Sequence, residues 1–143
     1  MTELKSKGRV KFLLLAHLIF VVKYRKKLLV TYGNEVKQKM IDISMKNNFD
    51  IDTMEVDKDH IHLLISYEPQ VSITQIVTAL KGETTYELWQ KYESALRHQF
   101  WKEHTFWTPS YFVCSIGNAS EETIRELPRI KMSRLPASSA TGL

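Results

Sequence analysis

Residues 49–67 read FDIDTMEVDKDHIHLLISY. Phe49-Asp50-Ile51-Asp52 alternates strictly between apolar and acidic side chains, and Thr53 to Val56 carries the run on, as a half-buried strand requires. Asp57-Lys58-Asp59 has the composition of a turn. His60 to Tyr67 then resumes as a second strand, closed by Pro69, which cannot donate to a ladder. Two strands joined by so short a polar link predict an antiparallel hairpin.

Upstream, Phe12 to Val22 (FLLLAHLIFVV) is an apolar run behind Lys5, Lys7, Arg9 and Lys11. It has the outline of a signal peptide but no small-residue cleavage site, and Lys23-Tyr24-Arg25-Lys26-Lys27 follows instead. Eleven residues are too few to span a bilayer as a helix, so no membrane partner is expected. The β-branched and aromatic residues Ile19, Phe20, Val21 and Val22 predict a buried central strand. Tyr32-Gly33-Asn34 reads as a turn, and Val36, Met40 and Ile43 then predict an amphipathic helix over residues 35–48.

Downstream of the hairpin, Ser72-Ile73-Thr74-Gln75 has the form of a capping box, and Ile76, Val77, Leu80, Leu88 and Tyr92 continue at helical spacing. Phe106-Trp107-Thr108-Pro109 reads as an aromatic loop and Tyr111 to Ile116 as a last strand. Ser120-Glu121-Glu122 has the form of a final helix start. The order β-α-β-β-α-β predicts an α+β fold: a ferredoxin-like split βαβ antiparallel sheet, two helices on one face, plus a short C-terminal helix.

Composition agrees with one soluble domain. Of 143 residues, 43% are hydrophobic and 25% charged, with only 5 Gly and 4 Pro, which argues against disorder and linker-rich layouts. Cys114 is the single cysteine; it excludes internal disulfides and multi-cysteine zinc sites, fits a reducing cytoplasm, and lies in a strand where burial is expected. Ten of the 20 Lys and Arg fall in residues 1–40 beside only two acids, Glu3 and Glu35. Such a face suits a polyanion, nucleic acid above all, although a solvated basic surface has the same composition.

His60-Ile61-His62 places two imidazoles on one strand face, with Ile61 on the other. The pair can chelate one divalent cation, but two ligands are an incomplete set, and a bare H-x-H is more often an ordinary polar face. His17, in the first strand, could face the pair across the sheet. Its default reading is a satisfied core histidine.

The stretch from Met54 to Leu64, His17 to Lys27, and Phe106-Trp107-Thr108-Pro109-Ser110-Tyr111 together resemble the single-tyrosine HUH transposases of bacterial insertion sequences, the TnpA type. The likeness runs in order from about His17 through Lys81-Gly82 to Glu126, so that residues 1–126 are expected to form the transposase domain. The resemblance implies a homodimer acting on hairpin-bearing single-stranded DNA. It implies Mg²⁺ or Mn²⁺ at His60 and His62, polarising the scissile phosphodiester. A tyrosine on the C-terminal helix would attack phosphorus and leave a phosphotyrosine that later reverses on another DNA end. Lys23, Tyr24, Arg25 and Lys26 are the foremost candidate DNA contacts, with Lys81 second.

The chain departs from the family where the nucleophile should stand. Spacing from Ser115-Ile116-Gly117 puts the family tyrosine at position 127, which is Leu127, and Pro128 ends the helix there. Four residues on, a polar metal ligand is expected and Lys131 stands instead. Residues 127–143 are Pro-, Ser- and Ala-rich, as a divergent, disordered tail would be. A shifted reading frame explains so abrupt a change: Leu-Pro-Arg-Ile-Lys, in suitable codons, becomes Tyr-Leu-Glu-Ser-Lys one base later. Two functions are therefore expected to compete: a transposase impaired at Leu127, and a non-catalytic regulator that binds single-stranded DNA or RNA hairpins.

Overall fold

The computed structural model describes residues 13–116 of the 143. The apolar run after Leu13 forms β1 (Leu14–Val21), with seven of its eight side chains buried. A tight turn at Lys23–Arg25 leads to α1 (Leu29–Lys46). The hairpin follows as β2 (Phe49–Val56) and β3 (His60–Tyr67), then α2 (Ile73–Phe100) and β4 (Phe112–Ile116). The sheet order is β2-β3-β1-β4, antiparallel throughout. Each helix thus links two strands separated by one other, the split βαβ arrangement expected from the sequence.

Period two sorts the sheet into two faces. Ala16, Leu18 and Phe20 of β1 and Ile61, Leu63 and Ile65 of β3 join the core that both helices cover, with Val36, Met40 and Ile43 from α1 and Ile76, Leu80 and Leu88 from α2. Phe20 is fully buried there, a contribution of roughly 2–3 kcal/mol. The intervening residues His17, Ile19, Val21, His60, His62 and Leu64 lie on the opposite face.

Ser72 caps α2 as expected: its Oγ accepts from the Gln75 amide at 3.0 Å, and the Gln75 side chain accepts from the Ser72 amide at 3.0 Å. Near the far end, Tyr92 leaves helical geometry, and its hydroxyl donates to Glu35 Oε1 at 2.6 Å, tying α2 to α1.

Three sequence expectations are corrected. Tyr32-Gly33-Asn34 is no turn, because α1 already begins at Leu29. Gly33 serves a close approach instead: a Cβ there would meet Val56 Cγ1 at 3.1 Å, so the glycine lets the helix lie against β2. Cys114 is exposed, because β4 is an edge strand and Cys114 sits on the face away from the helices. Tyr111 precedes β4 and packs edge-on against Phe20, ring centroids 6.3 Å apart. The expected C-terminal helix, Leu127, Lys131 and the tail lie outside the described residues, as do the cations at positions 5–11.

Candidate metal and nucleic-acid site

The turn between β2 and β3 sets the histidine pair. The Lys58 amide donates to Asp57 Oδ1 at 2.7 Å and the Asp57 amide to the His60 carbonyl at 2.9 Å, so β3 starts with His60 at the sheet end. From β1, the Val22 amide donates to the Asp59 carbonyl at 2.9 Å, bringing the Lys23–Arg25 turn against the same end.

The His60 and His62 rings stand 5.3 Å apart between centroids. His60 is buried, and its Nδ1 lies 2.8 Å from Asp59 Oδ1. Asp59 in turn accepts from Arg25 Nε at 3.2 Å. Burial would raise the Asp59 carboxyl, but hydrogen bonds from His60 and Arg25 and the Arg25 charge prevail and hold it below its usual range. A carboxylate at this position orients the ring and favours the tautomer with the proton on Nδ1, in which Nε2 is the nitrogen that can ligate a metal.

His62 is half-buried and is pushed down to about 4, first by burial, then by His60 and His17, with Asp57 opposing. His17, opposite Leu64 on β3 and Cys114 on β4, is lowered by burial as well. Around neutral pH, His62 is therefore a neutral imidazole and meets a cation without first giving up a proton. Across the hairpin, Glu55 is in register with His62. Among the described residues no group of three or more His, Cys, Asp or Glu is placed to hold an ion. The donor set fits a divalent cation as two nitrogen ligands, with the rest to come from water, substrate phosphate or residues outside 13–116.

Of the cationic turn, Tyr24 and Arg25 are exposed, while Lys23 and Lys26 are partly buried. Lys23 Nζ lies 3.2 Å from Glu103 Oε2. Lys81 is placed elsewhere, on the helix-covered face. Its ammonium donates to the carbonyls of Thr108 at 2.6 Å and of Pro109 and Ser110 at 3.3 Å, between the rings of Phe20 and Tyr111. Burial lowers it to about 8. The structure thus gathers His60, His62 and the Lys23–Lys26 turn at one end of the sheet and leaves Lys81 fastening the 108–110 segment to α2. Sequence reading missed Asp59 as the link between them; its only signal was an acid directly before the H-x-H. Of the remaining histidines, His104 stacks on Trp89 at 4.2 Å and His98 contacts the Ser94 carbonyl, both away from the pair.

A split βαβ sheet with a histidine pair on the face its helices leave, beside a cationic turn, is the class of single-tyrosine transposases that the sequence resembles. The chain belongs to the family described as "Transposase IS200 like", whose model matches residues 10–127. It is 35% identical over 123 residues to the ISDra2 transposase TnpA of Deinococcus radiodurans, covering 85% of this chain and 86% of that protein. It is 27% identical to the transposase for insertion sequence element IS200 of Salmonella typhimurium, over 82% of this chain and 76% of that one. Among solved structures, a proposed transposase from Deinococcus radiodurans superposes with TM-score 0.68 at 32% identity, over 85% of this chain and 90% of that chain. A REP-associated tyrosine transposase bound to a REP hairpin shares the fold, with TM-score 0.55 at 17% identity, over 87% of this chain and 67% of that chain. No helix among the described residues is long and apolar enough to cross a membrane.

Proposed function

We propose that this transposase binds hairpin-bearing single-stranded DNA as a homodimer, and that in this chain strand cleavage is impaired because Leu127 stands where the nucleophilic tyrosine is expected. One observation carries the reading: the His60–His62 pair, its Asp59–Arg25 support and the cationic turn share one end of the sheet.

His60 and His62 would hold Mg²⁺ or Mn²⁺, which when bound polarises the scissile phosphodiester. Asp59 would accept the Nδ1–H hydrogen bond of His60 and so leave Nε2 for the ion. Lys23, Arg25 and Lys26 face the phosphates, and Tyr24 offers an exposed ring to a base. Lys81 contributes indirectly, through the 108–110 segment that its ammonium fastens. Leucine has no group that can attack phosphorus, so cleavage and rejoining through a phosphotyrosine stop at the first step while the DNA face remains.

The test is covalent capture. The full chain is incubated with Mn²⁺ and a tailed hairpin oligonucleotide copied from the DNA flanking its gene. The expected result is retention on a native gel and no adduct that survives denaturant. A denaturant-resistant adduct would show a working nucleophile and overturn the impairment. An equal affinity for duplex, RNA and hairpin DNA would point to a general polyanion binder instead.

A further inference from the structure

Four non-glycine residues among those described have positive φ: Tyr24, Arg25, Asn48 and Trp101. Asn48 follows the end of α1, where asparagine commonly adopts this conformation. The other three lie together at the edge of the site. Trp101 has φ 61 and ψ −119, and the Glu103 amide donates to the Phe100 carbonyl at 3.1 Å. That is the first central position of a type II′ turn, which belongs to glycine. Tyr24 (φ 62, ψ 17) and Arg25 (φ 53) are consecutive positive-φ residues between Lys23 and Lys26, as in a type I′ turn, where Asn-Gly is favoured.

Both turns thus place large side chains where backbone geometry asks for small ones. Neither aromatic is repaid by burial: Trp101 is 75% exposed and Tyr24 64%, whereas Trp89 and Trp107 are 5% and 4% exposed. Glu103 joins the two turns, accepting from Lys23 Nζ and from the Tyr24 hydroxyl, each at 3.2 Å. Phe100, directly before Trp101, lies under Tyr24 with ring centroids 6.4 Å apart. Cations surround the pair: Lys102 follows Trp101 and is exposed, Lys23 Nζ lies 5.5 Å from the Tyr24 ring centroid, and Arg25 is exposed on the same turn.

We propose that Trp101 and Tyr24 form a stacking ledge for unpaired bases of the strand that leaves the hairpin. The inference rests on the DNA reading above and adds to it a site on the α2–β4 connection. Flat exposed rings interleaved with cations match the two faces of a single strand, its bases and its phosphates. Held backbone strain of this kind collects where a side chain must be presented to a ligand.

The experiment uses the full chain and two probes: a DNA hairpin carrying a tail of about ten thymidines, and the same hairpin blunt. Trp101 is the one exposed indole among three, so base stacking on it quenches tryptophan emission. We expect quenching by the tailed probe alone. Trp101→Gly is expected to weaken tailed-hairpin binding about tenfold, leave the blunt hairpin unaffected and raise the melting temperature, because glycine relieves the turn. Trp101→Phe should recover most of the affinity. Unchanged binding of the tailed probe by Trp101→Gly, or a lowered melting temperature, would make Trp101 a structural residue and overturn the ledge. Failure of the native chain to bind either probe would overturn the DNA reading, and the ledge with it.

Discussion

His62 should make this protein acid-sensitive by an amount its surroundings set. In the unfolded chain its imidazole protonates near 6.5; in the fold, burial and the neighbouring imidazoles of His60 and His17 push this down to about 4. Between those values the unfolded chain binds a proton that the folded chain refuses, so folding stability falls as pH drops from 6.5 towards 4. Above 6.5 both states carry a neutral ring and the penalty vanishes. The full difference amounts to about 3 kcal/mol, of which about 2 kcal/mol is incurred between pH 7 and pH 5. The assay is urea unfolding of the metal-free chain at those two pH values, with His62→Gln beside it, since glutamine keeps a polar side chain and does not titrate. His17 is lowered too and adds loss of the same sign to both proteins, so the difference between them isolates His62. The native chain should lose about 2 kcal/mol more than the variant. Equal losses would mean that solvent reaches the His62 ring freely, and the account of a desolvated, metal-ready imidazole would fail.

Other consequences can be checked as directly. Asp59→Ala, which frees the Nδ1 proton of His60, should weaken Mn²⁺ binding by about tenfold or more in calorimetry while the chain stays folded. Lys81→Met removes an ammonium shared by three carbonyls and should cost roughly 2–3 kcal/mol in urea unfolding. Ser72→Ala opens the capping box of α2 and should cost about 1 kcal/mol by the same measure. Reading the gene through codon 127 in all frames should reveal a tyrosine-bearing helix in a shifted frame. Restoring that frame should then produce a covalent DNA adduct.

Legibility in the sequence followed the range of the interaction concerned. The β2–β3 hairpin and the Ser72 cap were readable because each signal is complete within a few neighbouring residues. The shared face of His60 and His62 followed from strand periodicity. The start of α1 did not, since Gly33 resembles turn punctuation until Val56, from a different element, is placed against it. Cys114 looked buried among apolar neighbours because a strand's sequence does not say whether it lies at a sheet edge. The Arg25–Asp59 pair joins residues 34 positions apart, and Trp101 occupies a glycine-type turn that contains no glycine, so neither left a local trace.

Asp59 holds His60 with one oxygen and Arg25 with the other. A phosphate that drew Arg25 away would leave the carboxylate's charge to the imidazole alone and would make His60 a stronger electron donor. Any such effect must run both ways by thermodynamic reciprocity: whatever factor bound DNA adds to metal affinity, bound metal adds to DNA affinity. On the proposed reading, in which His60 holds the ion and Arg25 a phosphate, this one aspartate would make ion and strand cooperative ligands, each most tightly held when the other is already in place.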